Sequence, residues 1–205
     1  MGVMRRARWL LTLAIAAGTG WGQSTRPEDV GVGKLLVASR AMGDPSFKET
    51  VILVVRDDPA HGVVGLVLNR RTDLPMSRVL DLKAAKDRSD PVYAGGPVEQ
   101  QEVFALMKSR EKDEKVFGQV AFISGKEQFE KALGEHPVAS GFRVYLGYTG
   151  WTEAQLRSEV RVGAWVILPA DEAAVFSDDP GDLWMEMMER TKLQVAEAGR
   201  TPLMR

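Results

Sequence analysis

The sequence predicts a single α/β domain of the α+β kind, built from short strands and a few helices. Short runs rich in Val, Leu and Ile, bounded by Gly, Pro and Asp, are typical of strands. Two segments begin with a hydroxyl residue followed three positions later by Glu or Gln, which is a pattern of helix starts. The 205 residues suffice for one domain with a substantial core.

The first three strands are predicted at residues 34–39, 50–57 and 63–69, where the apolar density indicates burial on both faces. Residues 57–62 contain Asp, Pro and Gly and suit a tight reversal, so the second and third strands are predicted to form an antiparallel hairpin. Further strands are predicted at residues 92–95, 102–108, 116–124, 142–148 and 162–168. The charged residues 109–115 are predicted to be a solvated hairpin tip.

Four segments favour helix. Residues 74–90 fit a short helix and an exposed loop, and Asp179 with Pro180 suits the entry to a last helix. The two capping-box patterns are Ser124 with Glu127 and Thr152 with Gln155. On the helix after Thr152, Gln155 and Glu159 are four apart and share a face, and a neighbouring face carries Leu156 and Val160.

The N-terminal residues resemble a secretory signal. Arg5, Arg6 and Arg8 precede an apolar run at residues 9–17, and small residues follow. We expect a signal peptide at 1–22, a linker at 23–33, the domain at 34–192 and a flexible C-terminal tail at 193–205. The apolar run is shorter than the ~20 residues of a membrane span, so no stable span is expected after cleavage. The protein is therefore expected to be exported and periplasmic, the alternative being an uncleaved tail on a cytoplasmic protein.

Composition argues against several classes of function. The 27 Lys and Arg against 28 Asp and Glu give a net charge of -1, which does not favour nucleic acid. The chain has no Cys and two His, so disulfides, a thiolate nucleophile and a histidine-rich metal centre are not expected. We expect no metal or cofactor, and the oligomeric state is left open.

Catalytic signatures are missing from the sequence. Ser124 lacks the glycine two places before it that a nucleophile elbow requires, and Lys34 follows glycines at the wrong spacing for a phosphate loop. His61 has no neighbour that would orient it as a base, so we interpret it as a turn residue.

Three glycine-punctuated segments, at residues 61–70, 95–98 and 146–151, are the most distinctive part of the chain. Each has a structural and a functional interpretation. Gly95 and Gly96 suit either a rigid turn or an anion-binding nest, and Asn69 with Arg70 either shapes a turn or binds a ligand. The residues of a possible binding surface are Asn69, Gly95, Gly96, Tyr148, Trp151, Gln155 and Glu159.

In this order, the segments resemble the YqgE/AlgH family of bacterial proteins over most of the predicted domain. The resemblance implies a bifurcated, mostly antiparallel sheet that forms a pseudo-barrel with helices around it. It implies no settled biochemical function, although some members are labelled transcriptional regulators. Two features depart from the family: Met107 stands where a histidine is often found, and most relatives are expected to be cytoplasmic.

We therefore expect a non-enzymatic binding or regulatory protein with an unidentified protein partner or small ligand. One alternative is a small hydrolase that uses Glu159 with Gln155 or Asn69 in a pocket. The other, if the protein is not exported, is the transcriptional role of the family label.

Overall fold

The computed structural model describes residues 26–60, 62–109, 115–135 and 141–198, and within them the chain forms one curled sheet covered by helices. The predicted signal peptide, His61 and most of the predicted hairpin tip lie outside the described residues. The strands are β1 (Lys34–Ala38), β2 (Val51–Asp58), β3 (Gly62–Val67), β4 (Arg71–Pro75), β5 (Pro91–Ala94), β6 (Val98–Lys108), β7 (Lys115–Phe117), β8 (Val120–Ile123), β9 (Phe142–Trp151) and β10 (Trp165–Pro169). The helices are α1 (Lys126–Glu135), α2 (Glu153–Arg161), α3 (Glu172–Val175) and α4 (Leu183–Ala198).

The sheet runs in the order β10-β1-β2-β3-β9-β6-β8-β7, and β4 and β5 form a branch from it. Every pairing is antiparallel except that of β5 with β9. Strand β9 holds the sheet together, because one of its edges pairs with β6 and its other edge is shared between β5 and β3. The predicted α+β class with a bifurcated, mostly antiparallel sheet is therefore confirmed.

Both faces of the sheet are buried, as the apolar density of the strands predicts. In β1, Leu35 and Val37 belong to an inner core, whereas Leu36 and Ala38 belong to an outer one. Helices α3 and α4 cover the inner face, α2 covers the outer face of β1, β2, β3 and β10, and α1 covers that of β6, β8 and the start of β9. Among the described residues, no helix is both long and apolar enough to cross a membrane.

Several elements differ from the prediction because local backbone geometry decides their ends. The strand predicted at residues 116–124 is divided into β7 and β8. Residues 74–90 form two single 3-10 turns, Met76–Arg78 and Lys83–Ala85, instead of a helix. The last predicted strand begins only at Trp165, because Val162 caps α2 and Gly163 adopts a positive φ of 78°. Strand β4 and helix α3 were not predicted.

The helix ends differ in the same way. A capping box is predicted for Ser124 with Glu127. In the structure, helix α1 begins at Lys126, and the backbone N–H of Ser124 donates to the side chain of Gln128, not of Glu127, at 3.2 Å. Helix α4 begins at Leu183, where the N–H of Glu186 donates to the carbonyl of Asp182, so the chain enters it later than Asp179.

Two predicted boundaries fall within ordered structure. Helix α4 continues to Ala198, so residues 193–198 of the expected tail are helical. In the expected linker, Pro27–Asp29 forms a 3-10 turn, and the Pro27 carbonyl accepts a hydrogen bond from Arg157 of α2 at 3.2 Å.

The sheet divides at Gly147 in β9. Tyr145 and Tyr148 both point into the inner core although they are three residues apart, so one extra residue interrupts the alternation. Gly147 is this extra residue. It has a positive φ of 68°, a conformation that glycine adopts without strain. Before the bulge β9 pairs with β5, and after it β9 pairs with β3.

Gly95 and Gly96 lie in the fork between β5 and β3. The N–H of Gly95 donates to the Leu146 carbonyl at 2.7 Å, and its carbonyl accepts from the N–H of Val67 at 2.9 Å. A Cβ at Gly95 would overlap the Gly147 carbonyl, and one at Gly96 would overlap the backbone of Tyr148. These glycines therefore allow two backbones to touch, and the structural interpretation of residues 95–98 describes their position.

We predict that Gly96→Ala lowers the free energy of unfolding by about 3 kcal/mol, because the new methyl group meets backbone atoms that cannot move independently. Urea denaturation followed by circular dichroism measures the change. Gly43→Ala is the control, since no atom lies within 4 Å of a Cβ built there, and its effect should stay within about 0.5 kcal/mol. Equal stabilities of the two variants would contradict the prediction.

Candidate functional site

The carboxylate of Glu159 is bound by three side-chain donors. Its Oε2 accepts from the indole Nε1 of Trp151 at 3.1 Å and from that of Trp165 at 2.8 Å. Its Oε1 accepts from Nε2 of Gln155 at 2.9 Å. The two indoles are almost completely buried, so the carboxylate supplies the acceptor that each buried N–H needs.

Aromatic packing completes this cluster on the outer face of the sheet. The rings of Trp151 and Trp165 meet edge to face with their centroids 6.0 Å apart, and Phe47 stacks on Trp151 at 5.8 Å. Thr152 caps α2 by accepting from the Gln155 N–H at 3.2 Å, which is one half of the predicted capping box. The side chain of Gln155 bonds Glu159 instead of completing the box. The cluster therefore fixes α2 to the ends of β9 and β10.

The other predicted surface residues lie elsewhere. Asn69 joins two segments, because its Oδ1 accepts from the N–H of Val51 at 3.0 Å and its Nδ2 donates to the Glu49 carbonyl at 2.9 Å. Tyr148 is buried in the inner core, with its ring edge to face with Phe104. Burial, with the nearby carboxylates of Glu99 and Glu102, raises the pKa of Tyr148 above its usual value.

The side chain at Met107 is also structural. Met107 is buried in the outer core against α1, where it packs among apolar residues. Among the described residues, no three His, Asp or Glu side chains are grouped closely enough to hold a metal ion.

An open groove of about 750 Å³ lies between the start of β4 and the loop that precedes α4. This volume is within the range of small-molecule sites. The residues that line it are Asn69, Arg70, Arg71, Thr72, Ala94, Asp178, Asp179, Pro180 and Gly181. Asn69 is thus the one residue of the predicted surface that lines the groove.

Arg70 differs from the other half-buried arginines of the described chain. Each of the others is held by a carboxylate or a carbonyl: Arg88 by Asp90, Arg143 by Val175 and Ser177, Arg157 by Glu153, and Arg190 by Asp171 and Glu186. Arg70 is half-buried in the groove, and no described residue forms an ion pair or a side-chain hydrogen bond with it. Its five N–H donors are thus available to a ligand.

The opposite wall of the groove is acidic. The carboxylates of Asp178 and Asp179 are exposed, and neither forms an ion pair with Arg70, Arg71 or any other described residue. Positive and negative charges therefore face the same groove without meeting.

Each wall of the groove is fixed by hydrogen bonds to a strand of the sheet. The Arg70 carbonyl accepts from the N–H of Ala94 at 2.8 Å. Arg143 lies over the ring of Tyr93 and donates to the carbonyls of Val175 and Ser177, just before the acidic wall. Burial raises the pKa of the neighbouring Tyr145 above its usual value.

The sequence indicates Arg70, beside Asn69, as a possible ligand contact, whereas in the acidic loop it indicates only Asp179 with Pro180, as a helix entry. The Asp-Asp-Pro-Gly run was the available signal, but nothing in it specifies the partner wall.

Comparisons with known proteins agree with the fold. A family model described as AlgH-like matches residues 35–196. A UPF0301 protein of Thermobifida fusca is 33% identical, over 83% of this chain and 91% of that protein. The solution structure of the AlgH protein from Pseudomonas aeruginosa has a TM-score of 0.63 and 26% identity, and covers 90% of this chain and 98% of its own. A crystal structure of a Corynebacterium diphtheriae protein has a TM-score of 0.64 at 22% identity, over 84% and 90% of the two chains, and bears on the fold alone.

We predict that Glu159→Ala lowers the free energy of unfolding by about 2–4 kcal/mol, because it leaves two buried indole N–H groups without an acceptor. Urea unfolding followed by tryptophan fluorescence measures the loss. Glu153→Ala on the same helix is the control, since it breaks an exposed pair with Arg157 and should cost about 1 kcal/mol or less. Similar losses in the two variants would show that the cluster does not stabilise the fold.

Proposed function

The chain belongs to the AlgH-like family, and we propose that this member is a non-enzymatic binding protein whose ligand occupies the groove beside Arg70. The observation that carries the proposal is Arg70, a half-buried residue that lines the groove and forms no ion pair or side-chain hydrogen bond with a described residue. Partial burial removes water from a charged group without replacing all of its hydrogen bonds, which is unfavourable for folding. A bound anionic group would supply the missing acceptors.

The hydrolase alternative finds less support. It requires a carboxylate that is free to exchange a proton with a substrate, whereas both oxygens of Glu159 already accept hydrogen bonds from protein donors. Glu159 and Gln155 are also not among the residues that line the groove. A binding role needs only the charged walls and the space between them.

The charge of the groove also favours a small ligand or a protein segment over nucleic acid. Asp178 and Asp179 line the same space as Arg70 and Arg71 and would repel a run of phosphates. This supports the binding role over the transcriptional one.

We further propose that the protein is exported and acts in the periplasm. The support is the order of the N-terminal sequence, in which three arginines precede a short apolar run and then small residues. In that compartment the ligand would come from the cell envelope or from outside the cell.

The groove proposal predicts that a ligand is captured through Arg70. Tagged wild-type protein is incubated with native extract of the source cells, and the retained proteins and small molecules are identified by mass spectrometry. Arg70→Gln should lose a species that the wild type retains, since it removes the half-buried arginine of the groove and its positive charge. Arg161→Gln, an exposed arginine outside the groove, should retain that species.

Identical species captured by all three proteins would contradict a binding site at Arg70. So would capture of nothing specific by the wild type in repeated extracts.

Export predicts a shortened N-terminus. Cell fractionation should place the protein in the periplasm, and N-terminal sequencing should show a start near Trp21 or Gln23. An intact Met1 on a cytoplasmic protein would reject the proposal.

A further inference from the structure

We infer that the ligand of the groove is a short peptide with free termini, bound with its carboxylate at Arg70 and its ammonium group at Asp178 and Asp179. This inference rests on the proposed function and adds the chemical class of the ligand. It is drawn from the separation of charge across the groove.

The two walls carry opposite charges that do not neutralise each other. Arg70 and Arg71 lie on one wall, and Asp178 and Asp179 lie on the other. No pair of these side chains comes within ion-pair distance, although arginines elsewhere in the described chain find carboxylates. A gap therefore remains between the charges, and a ligand that spans it must carry a negative group at one end and a positive group at the other.

Ligands with one kind of charge fit the groove poorly. A phosphate or dicarboxylate at Arg70 would face two carboxylates across the same space, and a polyamine at Asp178 would face two guanidinium groups. A zwitterion is attracted by both walls. Electrostatic complementarity of this kind determines specificity, because it disfavours ligands whose charges are reversed or missing.

The side chains of the groove also determine which charged group of the ligand binds to each wall. A guanidinium presents parallel N–H donors that match the two oxygens of a carboxylate, whereas the carboxylates of Asp178 and Asp179 accept from an ammonium group. The open groove of about 750 Å³ has room for a ligand longer than one amino acid. A peptide of two or three residues carries a carboxylate at one end and an ammonium group at the other.

The peptide would also meet groups able to bind its backbone. Arg71 lines the groove on the edge strand β4, which within the described residues pairs with β5 alone. An extended peptide can add to such an edge through main-chain hydrogen bonds. Binding through termini and backbone depends little on side chains, so a simple peptide serves as a probe.

The test uses three forms of trialanine that differ only in their ends. The free tripeptide carries both charges, its N-acetyl form carries only the carboxylate, and its C-terminal amide carries only the ammonium group. Each is titrated into the ¹⁵N-labelled protein at pH 7, and the amide chemical shifts are followed.

We expect saturable shifts at residues 69–72 and 178–181 with free trialanine, and at least tenfold weaker binding of both capped forms. Arg70→Gln should weaken binding of the free form at least tenfold, and so should the double variant Asp178→Asn with Asp179→Asn. Arg161→Gln and Asp87→Asn are the matched controls, since both residues are exposed and lie outside the groove. The control spectra also establish that each variant folds.

The outcomes separate the ligand class from the binding role. If free trialanine gives no saturable shifts, or if a capped form binds equally well, the peptide class is wrong. In that case loss of the captured species from Arg70→Gln would leave the proposed binding role standing. If Arg70→Gln alters neither peptide binding nor capture from extract, both proposals are wrong.

Discussion

Where the sheet divides, the backbone of Gly95 and Gly96 lies directly against the backbone of Gly147 and Tyr148. This contact allows one edge of β9 to serve two strands, because the chain that leaves β5 must cross β9 before β3 can pair with it. The N–H of Gly95 donates to the Leu146 carbonyl and its carbonyl accepts from the N–H of Val67, which satisfies the backbone in the fork. The sheet divides between β3 and β5 at this crossing.

The groove is a consequence of the same fork. Past Val67 the chain leaves the main sheet through Asn69 and Arg70 and then forms β4 on the branch beside β5. Asn69 ties this exit to the turn before β2 through Val51 and Glu49, so its side chain positions the wall. The glycine-punctuated segment 61–70 thus places Arg70 in the groove.

The sequence predicts the main strands well because their residues are buried on both faces of the sheet and are therefore almost all apolar. In β1 and β2, successive residues alternate between the inner and the outer core. It does not predict β4, whose residues are mostly exposed and which is held by pairing with β5 instead of by a pattern of its own. Because Gln155 and Glu159 are four residues apart, the sequence correctly predicts that they share a helix face, but not which residues that face contacts. Only the fold brings the indole of Trp165 to Glu159, and this contact gives the carboxylate a structural role.

The juxtaposition of the two walls could not be predicted for the same reason, since Arg70 and Asp178 are far apart in the chain and no sequence pattern links them. Their failure to pair also has a structural cause. Arg143 of β9 donates to the carbonyls of Val175 and Ser177, and these hydrogen bonds fix the path of the chain just before Asp178. Backbone pairing with Ala94 fixes Arg70 independently. Since each wall is anchored by its own contacts, neither needs an ion pair across the groove for its position. The opposite charges can therefore remain apart. A ligand of the proposed kind would interact with both without first having to break an ion pair between them.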